Sequence, residues 1–308
     1  MVHEYLAYIS KNEDIEQNLQ NGLDFIKYGN SIKRDSTVFI KPNFTFPDYR
    51  KGITTSPGLI KVLCEILKDR AGRVIVGESD GGNRSFTADQ AFKGHNLLAI
   101  CRETGAEMMN LSQIPWQWVS GTIQRKKVRV KLPSFLLDEV DCFISVPVLK
   151  VHVMTTVTLS MKNLWGCYPD TMRCLEHKNL SEKLTLITEK MDPKFSIIDG
   201  SFALNGHGPM FGNVVESKLL ITANNPVVAD ALGSVVMGIP LSRIEHILMA
   251  EREGLGTTNL DDVELNDDWK KYQMQFYVQK TMMDHLSTLF SGAGFSQNWP
   301  WTPPLPRS

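Results

Sequence analysis

Ser36-Thr-Val-Phe-Ile-Lys-Pro-Asn43 is a short apolar run that stops on polar groups. Further along, Arg73-Val-Ile-Val-Gly-Glu-Ser-Asp80 is built the same way. Between them lies a loop over 44–56, rich in Pro, Gly and Thr. A helix start follows at Ser56-Pro57, where a hydroxyl can cap and proline suits the first turn, and the helix runs to about residue 70. A strand ending in polar residues, a helix, then another such strand is the pattern of a parallel sheet with crossover helices. Sheets of that kind bind ligands outside the carboxyl ends of their strands. Lys41, Asn43, Glu78 and Asp80 stand at those ends.

The flanks extend the pattern. Residues 4–10 read as an edge strand, and 13–29 as a helix with Ile15, Leu19, Leu23 and Ile26 on one side. Helices are expected at 88–94 and 97–105, and a β-hairpin at 115–133, where the residues alternate. An apolar strand covers 140–148, after which the chain turns into the polar stretch from Lys150. A helix at 180–191 leads to a strand at 195–198 that ends in Asp199-Gly200. A glycine-rich loop fills 205–212, and a strand at 218–223 precedes a helix at 226–237. The expected fold is α/β: mostly parallel sheet with crossover helices, in two α/β lobes (1–118 and 119–265) with a cleft between them. The main domain spans 36–260. Residues 266–308 are expected to hold a C-terminal helix with Tyr272, Phe276 and Tyr277, then a Pro/Trp-rich tail.

Composition narrows the function classes. The chain has 308 residues, 42% hydrophobic and 22% charged, as ordinary globular proteins do. Thirty-three basic residues face 34 acidic ones, a balance that argues against a nucleic-acid partner. The cysteines Cys64, Cys101, Cys142, Cys167 and Cys174 are odd in number and form no C-x-x-C pair. A zinc ribbon or an intrinsic iron–sulfur cluster is therefore not expected. Free thiols in a reducing cytoplasm are the simpler reading. Residues 1–30 carry no signal-peptide pattern, and no apolar stretch approaches the roughly 20 residues of a membrane span. A cytoplasmic location is expected, with a small-molecule substrate, no membrane partner, and a homodimer as one arrangement open to it.

Candidate chemistry concentrates in 147–163. Lys150 and His152 follow a strand, and Lys162-Asn163 come ten residues after His152. Imidazole is the usual general base near neutral pH and a common metal ligand. A lysine beside it can hold an anion, or act as an acid when its pKa is lowered. Surface lysines and a satisfied histidine would give the same pattern. Gly206, His207 and Gly208 lie in a loop whose backbone N–H groups could approach an anion, or form a plain turn. Glu78, Asp199 and Asp230 are candidates for a divalent metal. Asp230 sits in an apolar helix, where capping or pairing is the commoner use of a carboxylate. His177 is a further acid/base candidate, with a solvated position as its default.

Lys41-Pro-Asn43, Thr55-Ser-Pro57, Gly77-Glu-Ser79, Val146-Pro-Val-Leu-Lys-Val-His152, Thr158-Leu-Ser-Met-Lys-Asn-Leu-Trp-Gly166, Ile198-Asp-Gly200, Gly206-His-Gly-Pro209 and Val228-Ala-Asp230 occur in this order. Together they resemble the domain-of-unknown-function 362 family over about 36–260. Many of its members carry a ferredoxin-like cluster segment, which this chain lacks. The family is distantly similar to lactate racemases, which hold a nickel pincer nucleotide between two α/β lobes. There a histidine stands ten residues before the cofactor-tethering lysine, as His152 does before Lys162, although 155–161 replaces the racemase glycines. The resemblance implies a shared site location and does not fix a reaction.

The leading expectation is an enzyme for a small carboxylate- or phosphate-bearing substrate, working by proton or hydride transfer in an isomerase, racemase or lyase. Lys150, His152, Lys162 and His177 would be catalytic. Lys41, Asn43, Asn163, Gly206, His207 and Gly208 would bind substrate, with metal assistance left open. Alternatives are a redox component that borrows a cluster or flavin from a partner, and a non-catalytic ligand-binding protein.

Overall fold

The computed structural model describes residues 4–280. In chain order its strands are β1 (Tyr5–Lys11), β2 (Thr37–Pro42), β3 (Arg73–Glu78), β4 (Glu107–Asn110), β5 (Trp116–Ile123), β6 (Lys126–Pro133), β7 (Cys142–Val146), β8 (Val148–His152), β9 (Thr156–Val157), β10 (Phe195–Asn205), β11 (Asn213–Val215), β12 (Leu219–Ala223) and β13 (Val263–Leu265). The α-helices are α1 (Ile15–Phe25), α2 (Pro57–Leu67), α3 (Ala88–Gly94), α4 (Leu97–Thr104), α5 (Ser134–Asp138), α6 (Ser160–Asn163), α7 (Leu180–Met191), α8 (Pro226–Val236) and α9 (Glu245–Arg252).

The main sheet is ordered β13-β1-β12-β10-β7-β2-β3-β4. From β10 to β4 every pairing is parallel. β12 runs antiparallel to both β10 and β1. Helices cover both faces, as a parallel sheet requires. The two-residue period of β2 sends Val38 and Ile40 to one face, where they meet Leu59 and Leu63 of α2. Phe39 points to the other, with Ile75, Phe143 and Leu184 and Ile187 of α7. Leu232 of α8 and Ile247 of α9 bury a further stretch of the sheet against Ile9 and Ile221.

This is the α/β fold expected, with differences in detail. The sheet runs continuously from residues of 1–118 into residues of 119–265, since β2 pairs with β7, so it is not divided into two lobes. The apolar strand at 140–148 is broken at Pro147, which cannot donate to a ladder. The break sends β8 onto β10 and β9, so Lys150 and His152 lie within a strand rather than after one. β10 continues to Asn205, which places Asp199-Gly200 inside it, next to a shift in register. Ser56 makes no side-chain cap on α2; the Asp199 carboxylate accepts the Ser56 N–H instead, at 2.8 Å.

In place of the expected C-terminal helix there is a single 3-10 turn, Trp269–Tyr272, followed by extended chain that buries Phe276. The Pro/Trp-rich end lies outside the described residues. The hairpin at 115–133 forms as β5 and β6, apart from the main sheet. Its turn residues Gln124 and Arg125 both have positive φ, 46° and 66°, as a tight two-residue hairpin turn requires. Glu253 accepts the Gln124 N–H and side-chain amide at 3.0 and 2.6 Å and so holds that turn. Among the described residues no helix is long and apolar enough to cross a membrane.

Candidate active site

The polar residues at the strand ends form a satisfied frame, beside which one amine, that of Lys162 on α6, has no hydrogen-bond or ion-pair partner among the described residues. The frame begins with Lys41, at the end of β2. Its ammonium donates to Glu78 at 2.6 Å and to the Pro42 carbonyl at 2.7 Å, and both charged side chains are buried. Glu78 also accepts the N–H groups of Phe44 and Ser79, at 3.2 and 3.0 Å. An isolated buried charge is costly, so this pair is held by its hydrogen bonds as well as by attraction. Gly166 packs against it: a Cβ there would lie 2.8 Å from both Lys41 Nζ and Glu78 Oε1.

Lys150 belongs to the frame too. It is fully buried and donates to Asn43 Oδ1, Thr45 Oγ1 and the Ile53 carbonyl at 2.6, 3.0 and 2.6 Å. Burial, then the Lys162 and Lys41 charges, push its pKa well down. The three acceptors nonetheless suit an ammonium, because a neutral amine has only two N–H bonds. Asn43 donates to Asn163 at 3.1 Å, and Asn163 donates to the Lys41 carbonyl and to Ser145 at 3.0 and 3.2 Å. Lys41, Asn43, Lys150 and Asn163 therefore spend their polar groups on one another, on Glu78, Thr45 and Ser145, and on the backbone, rather than facing a ligand.

The carboxylates expected to hold a metal do not converge. Glu78 serves Lys41. Asp199 accepts the N–H groups of Ser56 and Ser201, at 2.8 and 3.0 Å. Asp230 accepts those of Ser160 and Met161, at 2.6 and 2.9 Å, and so caps α6. Among the described residues no group of three or more His, Cys, Asp or Glu side chains is arranged to hold a metal ion. Burial pushes the Asp230 pKa up to about 8, against the pull of its two N–H donors. Replacing Asp230 with Ala strands two buried donors, and should cost about 2–5 kcal/mol in urea unfolding. A loss below about 1 kcal/mol would show that α6 is capped by other means.

Lys162 is different. Capped by Asp230, α6 carries it among other cations, and its amine has no hydrogen-bond or ion-pair partner among the described residues. Its side chain is half-buried. Burial, then Arg173 and Lys41, lower its pKa to about 7. His152, His177 and His246 all feel its charge. Burial is the first cause of depression in each imidazole, taking His177 and His246 down to about 3 and His152 well below its usual value. His152 Nδ1 accepts the Met154 N–H at 3.0 Å. That contact assigns the neutral tautomer with its proton on Nε2, which leaves the ring as a donor on that side. The His177 ring lies 5.7 Å from that of Trp165. His246 Nε2 is buried without a hydrogen-bond partner among the described residues, as are Trp165 Nε1 and Ser160 Oγ. Arg173 donates to the Asp80 and Asp170 carbonyls at 2.8 and 3.3 Å.

The structure thus brings His152, Lys162 and His177 into one electrostatic neighbourhood and adds His246 and Arg173, which sequence reading missed. His246 sits on the buried face of α9 beside Ile247 and Ala250, and a histidine on an apolar helix face was its available signal. Arg173 lies in an irregular stretch with no such pattern. The glycine-rich loop packs rather than opens. Gly206 gives its N–H to the Tyr277 carbonyl at 3.1 Å and accepts from Gln279 at 2.9 Å. A Cβ on Gly208 would lie 1.9 Å from the Val151 carbonyl, so glycine is needed there for close approach to β8. The His207 ring stacks near Phe211 at 6.3 Å.

These pKa directions set a pH dependence. The three imidazoles have folded pKa values below the ordinary 6.5, so below that pH the unfolded chain binds more protons and stability falls. His95, also lowered by burial, adds to this. Asp199 and Asp230, raised by burial from 3.8, act in the opposite sense: they favour the fold at low pH and lose that contribution as pH rises through their folded values. The histidines outnumber them, so Tm should drop between about pH 6.5 and about pH 4. A flat or rising Tm in a thermal melt series would contradict this.

A family model described as "Domain of unknown function (DUF362)" matches residues 38–234. The "Thylakoid-associated protein sll1697" of Synechocystis sp. (strain ATCC 27184 / PCC 6803 / Kazusa) is 24% identical over 239 residues, covering 75% of this chain and 72% of that protein. A crystal structure of a Thermotoga maritima protein aligns with a TM-score of 0.37 at 12% identity, over 61% of this chain and 50% of the other, too distant to carry an argument. The likeness to lactate racemases is not among these matches. The family model covers more than half of the chain and takes in Lys41, Lys150, His152, Lys162 and Asp230: the protein belongs to the DUF362 family.

Proposed function

We propose that the protein is an enzyme that moves a proton on a small carboxylate- or phosphate-bearing substrate, as an isomerase, racemase or lyase does. The observation that carries this reading is Lys162: a half-buried amine with no partner among the described residues, beside cations and neutral imidazoles. Such surroundings favour an anion, which would supply the missing charge. A pKa of about 7 suits an amine that gives and takes protons at neutral pH. His152, with Nδ1 occupied by the Met154 N–H, offers Nε2–H to an oxygen on which charge develops. Arg173 and His177 would hold the anionic group. Free cysteines, four of the five buried, suit a reducing cytoplasm as the place of action.

The test is proton exchange. The protein is incubated in deuterium oxide with a panel of small 2-hydroxy, 2-oxo and phosphorylated acids, and carbon-bound hydrogen is followed by NMR. Exchange in at least one compound, lost in Lys162→Met, is expected. Exchange that survives in Lys162→Met, or no exchange across the panel, counts against the reading.

A further inference from the structure

The hairpin lies outside this site and has a chemistry of its own. Residues 116–133 contain Arg125, Lys126, Lys127, Arg129 and Lys131 and no carboxylate, in a chain whose net charge is -1. Cross-strand register pairs Trp118 with Lys131, Ser120 with Arg129 and Thr122 with Lys127. Directly opposed residues share a face, so these side chains lie on one side of the ribbon, with Trp116. Val128, Val130 and Leu132 occupy the other side, in the core against α7. The ribbon is therefore anchored from behind and presents a basic, aromatic front. Trp116 and Trp118 are 45% and 41% exposed, which is unusual for side chains of that size. An open groove further along the ribbon is lined by Ser120, Gly121, Thr122, Lys127, Val128 and Arg129.

Two of the five cations already have partners: Lys126 pairs with Glu182, and Lys131 with Asp170 at 3.0 Å. Arg125, Lys127 and Arg129 have no carboxylate partner among the described residues and are left for an anionic one. The indoles meet edge to face, with ring centres 6.1 Å apart. Arg129 lies over Trp118 at 4.2 Å and Lys131 over Trp116 at 4.7 Å. Rings so covered are poorly placed to stack successive bases, whereas indoles flanked by cations suit the headgroup layer of a bilayer. We infer that the outer face of the β5–β6 ribbon docks on an anionic lipid surface, with Trp116 and Trp118 in the headgroup layer and Arg125, Lys127 and Arg129 on lipid phosphates. This departs from the expectation of no membrane partner, which rested on the lack of an apolar stretch long enough to span a bilayer and did not bear on contact with its surface.

The test uses the full chain with vesicles of phosphatidylcholine, with and without phosphatidylglycerol, in co-sedimentation and tryptophan-fluorescence assays. Binding to the anionic vesicles alone is expected, weakening as salt is raised. R125Q/K127Q/R129Q should weaken it on the order of a hundredfold, from the effect of three basic residues near such a surface. W116A/W118A should weaken it too and abolish the fluorescence blue shift. All of these positions except Arg125 lie on the outer face, and each variant's thermal melt checks that it folds. No binding to anionic vesicles, binding undiminished in the charge variant, or tighter binding to a single-stranded RNA oligonucleotide would overturn the inference.

Discussion

Replacing Lys41 with Met should lower the free energy of unfolding by about 3–5 kcal/mol, the usual cost of breaking a buried ion pair from one side. Glu78, with a side chain only 5% exposed, would keep the Phe44 and Ser79 N–H groups but lose its cation. The uncompensated carboxylate is what makes the single change expensive, so adding Glu78→Gln should recover part of the loss. The Gln amide cannot accept at both oxygens as the carboxylate does, so recovery is incomplete. Urea unfolding of the single and double variants measures this. A loss below about 1 kcal/mol in Lys41→Met would remove the pair from the frame.

Replacing Lys162 with Met should do the reverse. No hydrogen bond or ion pair among the described residues is broken, and an amine held among Arg173 and Lys41 is replaced by an apolar chain. Stability should stay level or rise, while proton exchange on the substrate falls by about 10²–10⁴, the range typical of a lost general acid–base group. Lys162→Arg keeps a charge but not an amine that titrates near neutrality, so it should retain anion binding and lose exchange. In the native protein kcat/KM should rise as pH passes through about 7, where Lys162 sheds its proton. Comparable losses of stability in Lys41→Met and Lys162→Met would erase the distinction between frame and working residues.

How much of this was legible in the sequence depended on what each residue does. The parallel sheet was readable because Val38, Phe39 and Ile40, or Val74, Ile75 and Val76, form apolar runs that only a strand covered on both faces can bury. The place of the candidate site followed from polar groups at the ends of those strands. Roles were harder. Lys150 and Lys162 look alike in sequence, and only the acceptors supplied by Asn43, Thr45 and Ile53 separate a structural ammonium from an amine left without them. Asp199 and Asp230 suggested a metal because a carboxylate in an apolar context needs a partner. Their partners are backbone N–H groups, most of them of residues distant in sequence, which no local pattern reveals. Pro147 was visible, yet the apolar residues on both sides disguised the break between β7 and β8.

The most direct measurement is calorimetric titration of the protein with oxalate at about pH 8 in two buffers of different ionisation enthalpy. An anion beside Lys162 and the neutral imidazoles should raise their pKa values, so binding should draw protons from the buffer. The account predicts binding with net proton uptake that is lost or sharply reduced in Lys162→Met. Binding without proton uptake, or the same uptake in the variant, would contradict it.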